Sequence, residues 1–433
     1  MNLKYSTIFS NRVIFVFLIL LSSFGPYVFP SFGVRSEHIV IYFCLVFFLL
    51  SNSIRIKKNT NIFILLSVLL LFIITPIVGG VFLDRAISKV LIVSQFENYI
   101  QPLSIILLCI SILGSYCYNE IKEYFHFILK VFVILMSVHT VFIIVVQEFQ
   151  AFEFLRMFTG SRLVTGYAYS TVGVNAAEVA AMGGRYSGVF TQVFEAGYAY
   201  SIALISYGYL LNNNYHLIKY KKVTLSLLLI GGLMTYSKVF LILGVFFFIL
   251  ITKKALLWRY LLYIVPIFLI TDLLFSIEIF SKGIVYLERL VFIGENHSIF
   301  DIYTSGRFSE DSIIWINMQD VILNSPVFGF GYGSIQTSDF SLNEVITLGG
   351  LIGILTYLLL FLVLIFINAK IKDRTIQQYY IYILVITILA SMSAPVITAN
   401  RISVVFWIFT SFIVMLQVMQ LKSNQEQPSK QGV

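Results

Sequence analysis

The sequence predicts an all-α polytopic membrane protein with about 12 transmembrane helices, and three observations carry that reading. First, 59% of its 433 residues are hydrophobic and only 12% charged, with a mean hydropathy of +0.91; a soluble chain holds roughly 25% charged residues. Second, the apolar residues fall in runs suited to a ~30 Å hydrocarbon core. Third, lysines and arginines recur in clusters on alternate connecting segments, the pattern of a positive-inside bias. Lipid offers no partner for backbone polar groups, and helices pair theirs internally. One integrated bundle over 1–433 is therefore expected rather than several domains.

The apolar runs lie near 13–30, 38–53, 61–82, 99–117, 125–146, 193–211, 223–236, 239–252, 255–275, 342–369, 377–396 and 402–420. No small-residue cleavage site follows the first, so it reads as a retained anchor. Lys4 and Arg12 precede it. Arg55, Lys57 and Lys58 follow the second run, and Lys219, Lys221 and Lys222 the sixth. Lys253 and Lys254 follow the eighth, and Lys370, Lys372 and Arg374 the tenth. This alternation puts both termini in the cytoplasm and the two longest connections, 147–192 and 276–341, on the opposite side, in a bacterium the periplasm. The net charge of +8 then belongs to cytoplasmic loops, and no nucleic-acid partner is expected. Cys44, Cys109 and Cys117 lie in or beside apolar runs, so no disulfide framework is expected.

The run 223–252 is too long for one crossing and short for two. It has lysines at both ends and Thr235-Tyr236-Ser237-Lys238 in its middle. If both ends are cytoplasmic, the chain rises and returns. Each arm of about 13–14 residues climbs only ~20 Å, so Lys238 sits below the outer surface, at the floor of a cavity. An ionisable group at that depth is costly and points to function; a lysine snorkelling from one tilted helix is the alternative.

The two long connections carry the remaining chemistry. The first ends Gly183-Gly184-Arg185-Tyr186-Ser187-Gly188-Val189-Phe190, followed by Gln192 and Glu195. Glycines beside one arginine allow backbone and guanidinium to approach a ligand closely. The second holds Arg289, His297, Asp301, Arg307, Glu310 and Asp311. Its segment 309–324 alternates Ile313, Trp315, Ile316, Val321 and Leu323 with polar residues, predicting an amphipathic helix on the membrane surface that Asn324-Ser325-Pro326 ends. Gly329, Gly331 and Gly333 do not make a dinucleotide fingerprint, because no strand precedes them and their pattern differs.

Arg156, Arg162, Arg185, Arg289, Arg307 and Arg401 all fall on the outer side. A guanidinium fork suits phosphate oxygens and stays charged when partly buried. For Arg156, Arg162 and Arg289, contacts to headgroups or loop carboxylates suffice. Arg185 and Arg307, flanked by glycine, point to an anionic, lipid-linked substrate.

These stretches resemble the O-antigen polymerase (Wzy) family, within the O-antigen ligase and polymerase superfamily. Arg185-Tyr186-Ser187-Gly188-Val189-Phe190 is similar to the family's Arg-x-x-Gly-x-Phe at the start of a span. Thr235-Tyr236-Ser237-Lys238 is similar to its Thr-x-Ser-Arg turn, with Lys for Arg. Ser305-Gly306-Arg307, Trp315, Pro326 and Gly329-Phe330-Gly331-Tyr332-Gly333 look like its Arg…Trp…Pro…Gly-x-Gly loop, and Leu348-Gly349-Gly350-Leu351-Ile352-Gly353 like its Gly-x-x-Gly span start. The match covers about 185–360.

The resemblance implies a GT-C-like membrane glycosyltransferase of the bacterial inner membrane. Such an enzyme moves a growing glycan from undecaprenyl pyrophosphate onto the next lipid-linked repeat unit, in lipopolysaccharide biosynthesis. No cofactor and no metal is expected, and a chain-length regulator protein is an expected partner. Arg185 and Arg307 are then the groups for the departing diphosphate, and Asp339 the general base. Asp339 stands about where the related ligases carry a histidine; His297, Glu195, Glu310 and Glu344 are weaker alternatives as base. Lys238, Trp315, Tyr332 and Glu195 are expected substrate contacts.

Two other readings compete. A ligase would attach finished polysaccharide to lipid A core, and the missing histidine counts against it. A repeat-unit flippase or transporter is expected to show two related halves, and the first five runs have no counterpart to the long loops.

Overall fold

The computed structural model describes residues 2–29, 34–50, 59–83, 89–149, 151–159, 180–181, 184–213, 220–252, 312–334, 341–392, 394–398 and 400–425. Helix α1 (Asn2–Phe24) leads into a small antiparallel hairpin, β1 (Tyr27–Phe29) and β2 (Val34–Arg35), with Tyr27 opposite Arg35. Then come α2 (Ser36–Leu50), α3 (Thr60–Leu83), α4 (Lys89–Leu113) and α5 (Tyr118–Glu148). A short helical segment, Phe152–Thr159, follows. The second half has α6 (Val193–Asn212), α7 (Lys221–Met234), a π-helical stretch Val239–Gly244 continuing into α8 (Val245–Ile251), α9 (Ile313–Asn324), α10 (Ser341–Ala369), α11 (Arg374–Ala390) and α12 (Asn400–Gln425).

Among the described residues, five helical stretches are long and apolar enough to cross a membrane: Thr60–Val81, Lys89–Leu113, Tyr118–Glu148, Ser341–Ala369 and Arg401–Leu421. The protein is a helical membrane protein. α12 is its axis, buried all round over 401–419, as its apolar circumference requires. Two of its polar groups find partners in neighbours: Ser403 donates to Gln101 on α4 at 2.8 Å, and Thr410 pairs with Tyr380 on α11 at 2.8 Å. The outward faces of α2, α3 and α10 are apolar, with Phe43, Phe47, Leu70, Leu355 and Leu362 exposed. Such a belt suits lipid rather than water.

Helix ends meet in the alternating order that the charge clusters predict. Lys370, after α10, donates to Asn61 at the start of α3 (3.2 Å). Lys122, at the start of α5, pairs with Asp373 before α11 (2.6 Å). The Lys372 amide donates to Gln420 near the end of α12 (3.1 Å). All of these lie at one end of the bundle. The hairpin, the starts of α4, α6, α10 and α12 and the end of α5 belong to the other.

The broken hairpin expected in 223–252 is present. α7 ends at Met234, the chain turns through Thr235-Tyr236-Ser237, and helix resumes after Lys238. Tyr236 takes φ 45° at the turn. Gly197 on α6 admits the turn: a Cβ there would sit 2.2 Å from Ser237 Cβ. The amphipathic helix in 309–324 also forms, as α9. Ser312 caps it by accepting the Trp315 amide (3.1 Å), and Ile314 and Val321 are buried while Ile316, Ile322 and Leu323 stay exposed. The expected run 255–275 lies outside the described residues.

The glycine-rich tract closes a break in α10. Gly350 has φ 58° and ψ −148°, which no helix allows. Breaking a helix orphans carbonyls before the break and amides after it. Here the tract supplies both partners. The Phe330 and Gly331 amides donate to the Thr347 and Leu348 carbonyls at 2.7 and 3.1 Å, while Leu351 and Ile352 donate to the Pro326 and Val327 carbonyls at 2.9 and 3.2 Å. Gly331, at φ +79°, also abuts α3: a Cβ there would meet the Gly80 nitrogen at 2.2 Å.

Candidate functional site

The start of α6, the Arg185 stretch and the Thr235–Lys238 turn come together at the hairpin end of the bundle. The Tyr186 amide donates to the Met234 carbonyl at 3.0 Å, so the first two motif stations touch although some 50 residues apart. A buried histidine on α5 holds the first in place. The Val189 amide donates to His139 Nε2 (3.2 Å). An amide can only donate, so Nε2 accepts and Nδ1 carries the proton. Nδ1–H then donates to Tyr200 Oη (2.9 Å), Tyr200 donates to Thr140 Oγ1 (2.9 Å), and Thr140 donates to the Leu227 carbonyl of α7 (2.8 Å). Gly188, at φ +59°, lets the stretch lie on the imidazole: a Cβ would meet His139 Nε2 at 2.3 Å.

Beside this lies a buried charged cluster. Arg35 and Arg401 are each 0% exposed, as is Glu37, and Glu195 is 2% exposed. Arg35 Nη1 lies 2.7 Å from Glu37 Oε1, an ion pair that lacks hydrogen-bond alignment. Arg35 Nη2 donates to His38 Nε2 (2.7 Å). His38 is therefore the Nδ1–H tautomer, and its Nδ1 lies 2.9 Å from Glu97 Oε1 on α4 without hydrogen-bond alignment. Glu97 accepts from Tyr42 (3.1 Å). This chain fixes the Arg35 guanidinium from two sides.

Arg401, at the start of α12, donates through Nη2 to the Phe158 carbonyl of the short helical segment. Its Nε and Nη1 have no hydrogen-bond partner among the described residues. Glu195 stands in the first turn of α6, where a carboxylate suits the helix dipole. Its Oε2 accepts the Thr191 amide (3.0 Å), while Oε1 has no partner among the described residues. Arg35, Arg401, Glu37 and Glu195 lie within electrostatic range of one another. Buried polar atoms are nearly always paired, so these orphans mark a place where a ligand or water belongs.

The expected site residues distribute as follows. Arg185 and Glu195 stand at this end, Arg185 half-buried. Lys238 begins the second arm of the broken hairpin and is half-buried. Trp315 is half-buried on α9. Tyr332 is buried in packing: its hydroxyl donates to the Ile73 carbonyl (3.0 Å), and its ring meets Phe96 and Tyr99 edge-on. It holds the glycine tract to α3 and α4. Glu344 accepts from Thr398 (3.0 Å), tying α10 to the segment before α12. Arg307, Asp339, Arg162, Arg289, His297 and Glu310 lie outside the described residues, and of Arg156 only the backbone is described.

Sequence reasoning missed Arg35, Glu37, His38 and Glu97. Their signal was available: Arg35-Ser36-Glu37-His38 puts ionisable groups at the mouth of an apolar run. His139, an ionisable residue within the apolar run 125–146, carried the same signal. Comparison with family models, with curated proteins and with solved structures finds no match for this chain.

Proposed function

We propose that this protein is a membrane glycosyltransferase of the Wzy type. It polymerises undecaprenyl-pyrophosphate-linked oligosaccharide units at the periplasmic face of the inner membrane. In this reading the bundle has about 12 crossings and a GT-C-like architecture, with both termini cytoplasmic.

One observation carries the reading. The Arg185 stretch and the Thr235–Lys238 turn meet through Tyr186 and Met234, at the bundle end opposite the lysine-rich loops. There Ser237, the residue before Lys238, packs on Gly197 of α6, two residues after buried Glu195. Cations near the membrane surface suit a lipid diphosphate leaving group, and carboxylates suit the acceptor hydroxyl. Arg307 keeps its proposed role from the motif alone.

The test is deletion and complementation read on lipopolysaccharide gels. A polymerase loss leaves core plus one repeat unit, restored to a ladder by the intact chain. Bare core would indicate a ligase, and loss of surface repeats altogether a flippase; either result overturns the reading.

A further inference from the structure

The buried cluster is balanced in charge: the guanidinium groups of Arg35 and Arg401 face the carboxylates of Glu37 and Glu195, with half-buried Glu97 at its edge. At low dielectric a diphosphate added there brings negative charge with no counter-charge left to meet it. A simple cation fits no better, because the unspent groups on Arg401 are donors. Arg35 and Glu37 leave hydrogen-bonding atoms unaligned but pair with each other in charge, whereas Arg401 keeps two open donors, Nε and Nη1, and Glu195 one open acceptor, Oε1. A sugar hydroxyl both accepts and donates, and so satisfies both sides without adding charge.

Building on the polymerase reading, we propose that Arg401 and Glu195 form the acceptor-glycan site, with Glu195 as the general base. Arg401 donates to the acceptor sugar and orients it. The acceptor hydroxyl donates to Glu195 Oε1. During transfer its proton passes to Glu195 as the acceptor oxygen forms a bond to the donor's anomeric carbon. The anomeric C–O bond to the diphosphate breaks, and its electron pair leaves with the diphosphate, which is held by Arg185 and Lys238 rather than by this cluster. Glu195 then returns the proton to water. The Phe152–Thr159 segment, whose Phe158 carbonyl takes one Arg401 N–H, covers the site and must shift to admit the sugar.

Glu195 also serves α6 through the Thr191 amide, so the substitution must keep that bond. Glu195→Gln does, because its side-chain carbonyl can still accept. The full chain in nanodiscs, supplied with lipid-linked repeat units, is assayed for polymer across pH. General-base catalysis contributes about 10²–10⁴-fold, so Glu195→Gln should lower the rate by at least about 10²-fold. The residual rate should lose the acidic limb that the unsubstituted protein shows, and inorganic pyrophosphate should bind the variant with unchanged affinity. Glu195→Asp, which keeps a carboxylate one methylene shorter, should retain the acidic limb at reduced rate. A near-normal rate in Glu195→Gln, or pyrophosphate affinity changed more than about tenfold, overturns the proposal. So does an unsubstituted protein without an acidic limb, a readout that needs no variant to fold. An unsubstituted protein that makes no polymer at all overturns the polymerase reading instead.

Discussion

At one end of the bundle Lys122 meets Asp373 at 2.6 Å with both side chains partly open to solvent, and Lys370 lies 3.9 Å over the Phe366 ring. At the other end Arg35 meets Glu37 at 2.7 Å and Arg401 donates to the Phe158 carbonyl, with no exposed surface on any of the three charged side chains. The first arrangement is cheap, since flexible lysines keep their water. The second strips water from several ions, and removing ions from water costs several kcal/mol each. Buried ion pairs are weak evidence for stability, so a cluster that leaves donors and an acceptor unspent is better explained by what it binds.

The comparison can be broken most sharply at Arg401. Arg401→Ala should destabilise the purified protein by about 3–5 kcal/mol, because buried carboxylates lose their counter-charge. Thermal unfolding in detergent would read this, and a shift no larger than that of a surface alanine would mean the cluster is hydrated.

Next comes Arg185, where the effect should fall on rate rather than stability. Arg185→Lys keeps the charge and loses the planar fork, so polymerisation should drop by about 10²–10³-fold, or 2.7–4 kcal/mol, at unchanged protein level. Arg307→Lys should behave alike. A full-length ladder from either variant would reduce that arginine to a point charge. Lys238→Arg, which restores the residue of the family-like turn, should retain the ladder, and Lys238→Ala should lose it.

Gly331→Ala tests the scaffold behind this end. A left-handed conformation costs a residue with Cβ about 1–2 kcal/mol, and crowding against Gly80 adds about 1–3 kcal/mol. A total loss of about 2–5 kcal/mol should appear as reduced folded yield. Normal yield and melting would show that the tract yields without strain.

The smallest effect belongs to the lysine end. Burial raises the Asp373 carboxyl, but the Lys122 ammonium and the Thr375 hydroxyl outweigh it and hold it below its usual value. A carboxylate with a depressed folded pKa contributes stability above its unfolded pKa of ~3.9 and loses it as pH falls through the folded value. Asp373→Asn should therefore cost no more than about 1 kcal/mol near neutral pH, and nothing once the carboxyl of the parent is protonated. A larger cost would erase the contrast between the two ends.

Composition and hydropathy alone determined the membrane class, because lipid admits few backbone solutions and each needs a long apolar run. The lysine clusters determined which helix ends meet, and the lysine-bounded run 223–252 already contained its broken hairpin. The amphipathic spacing of 309–324 determined α9. All of these are local, readable within one or two turns of chain. Tertiary structure alone decided the role of the glycine tract, whose residues make no dinucleotide fingerprint in sequence and serve to cap the break at Gly350. It also decided that Tyr332 packs against Phe96 and Tyr99, and that Arg35, Glu37, Glu195 and Arg401 share one buried region. Clearance around a Cβ and the field between distant charges depend on which helices become neighbours, and no sequence period encodes that.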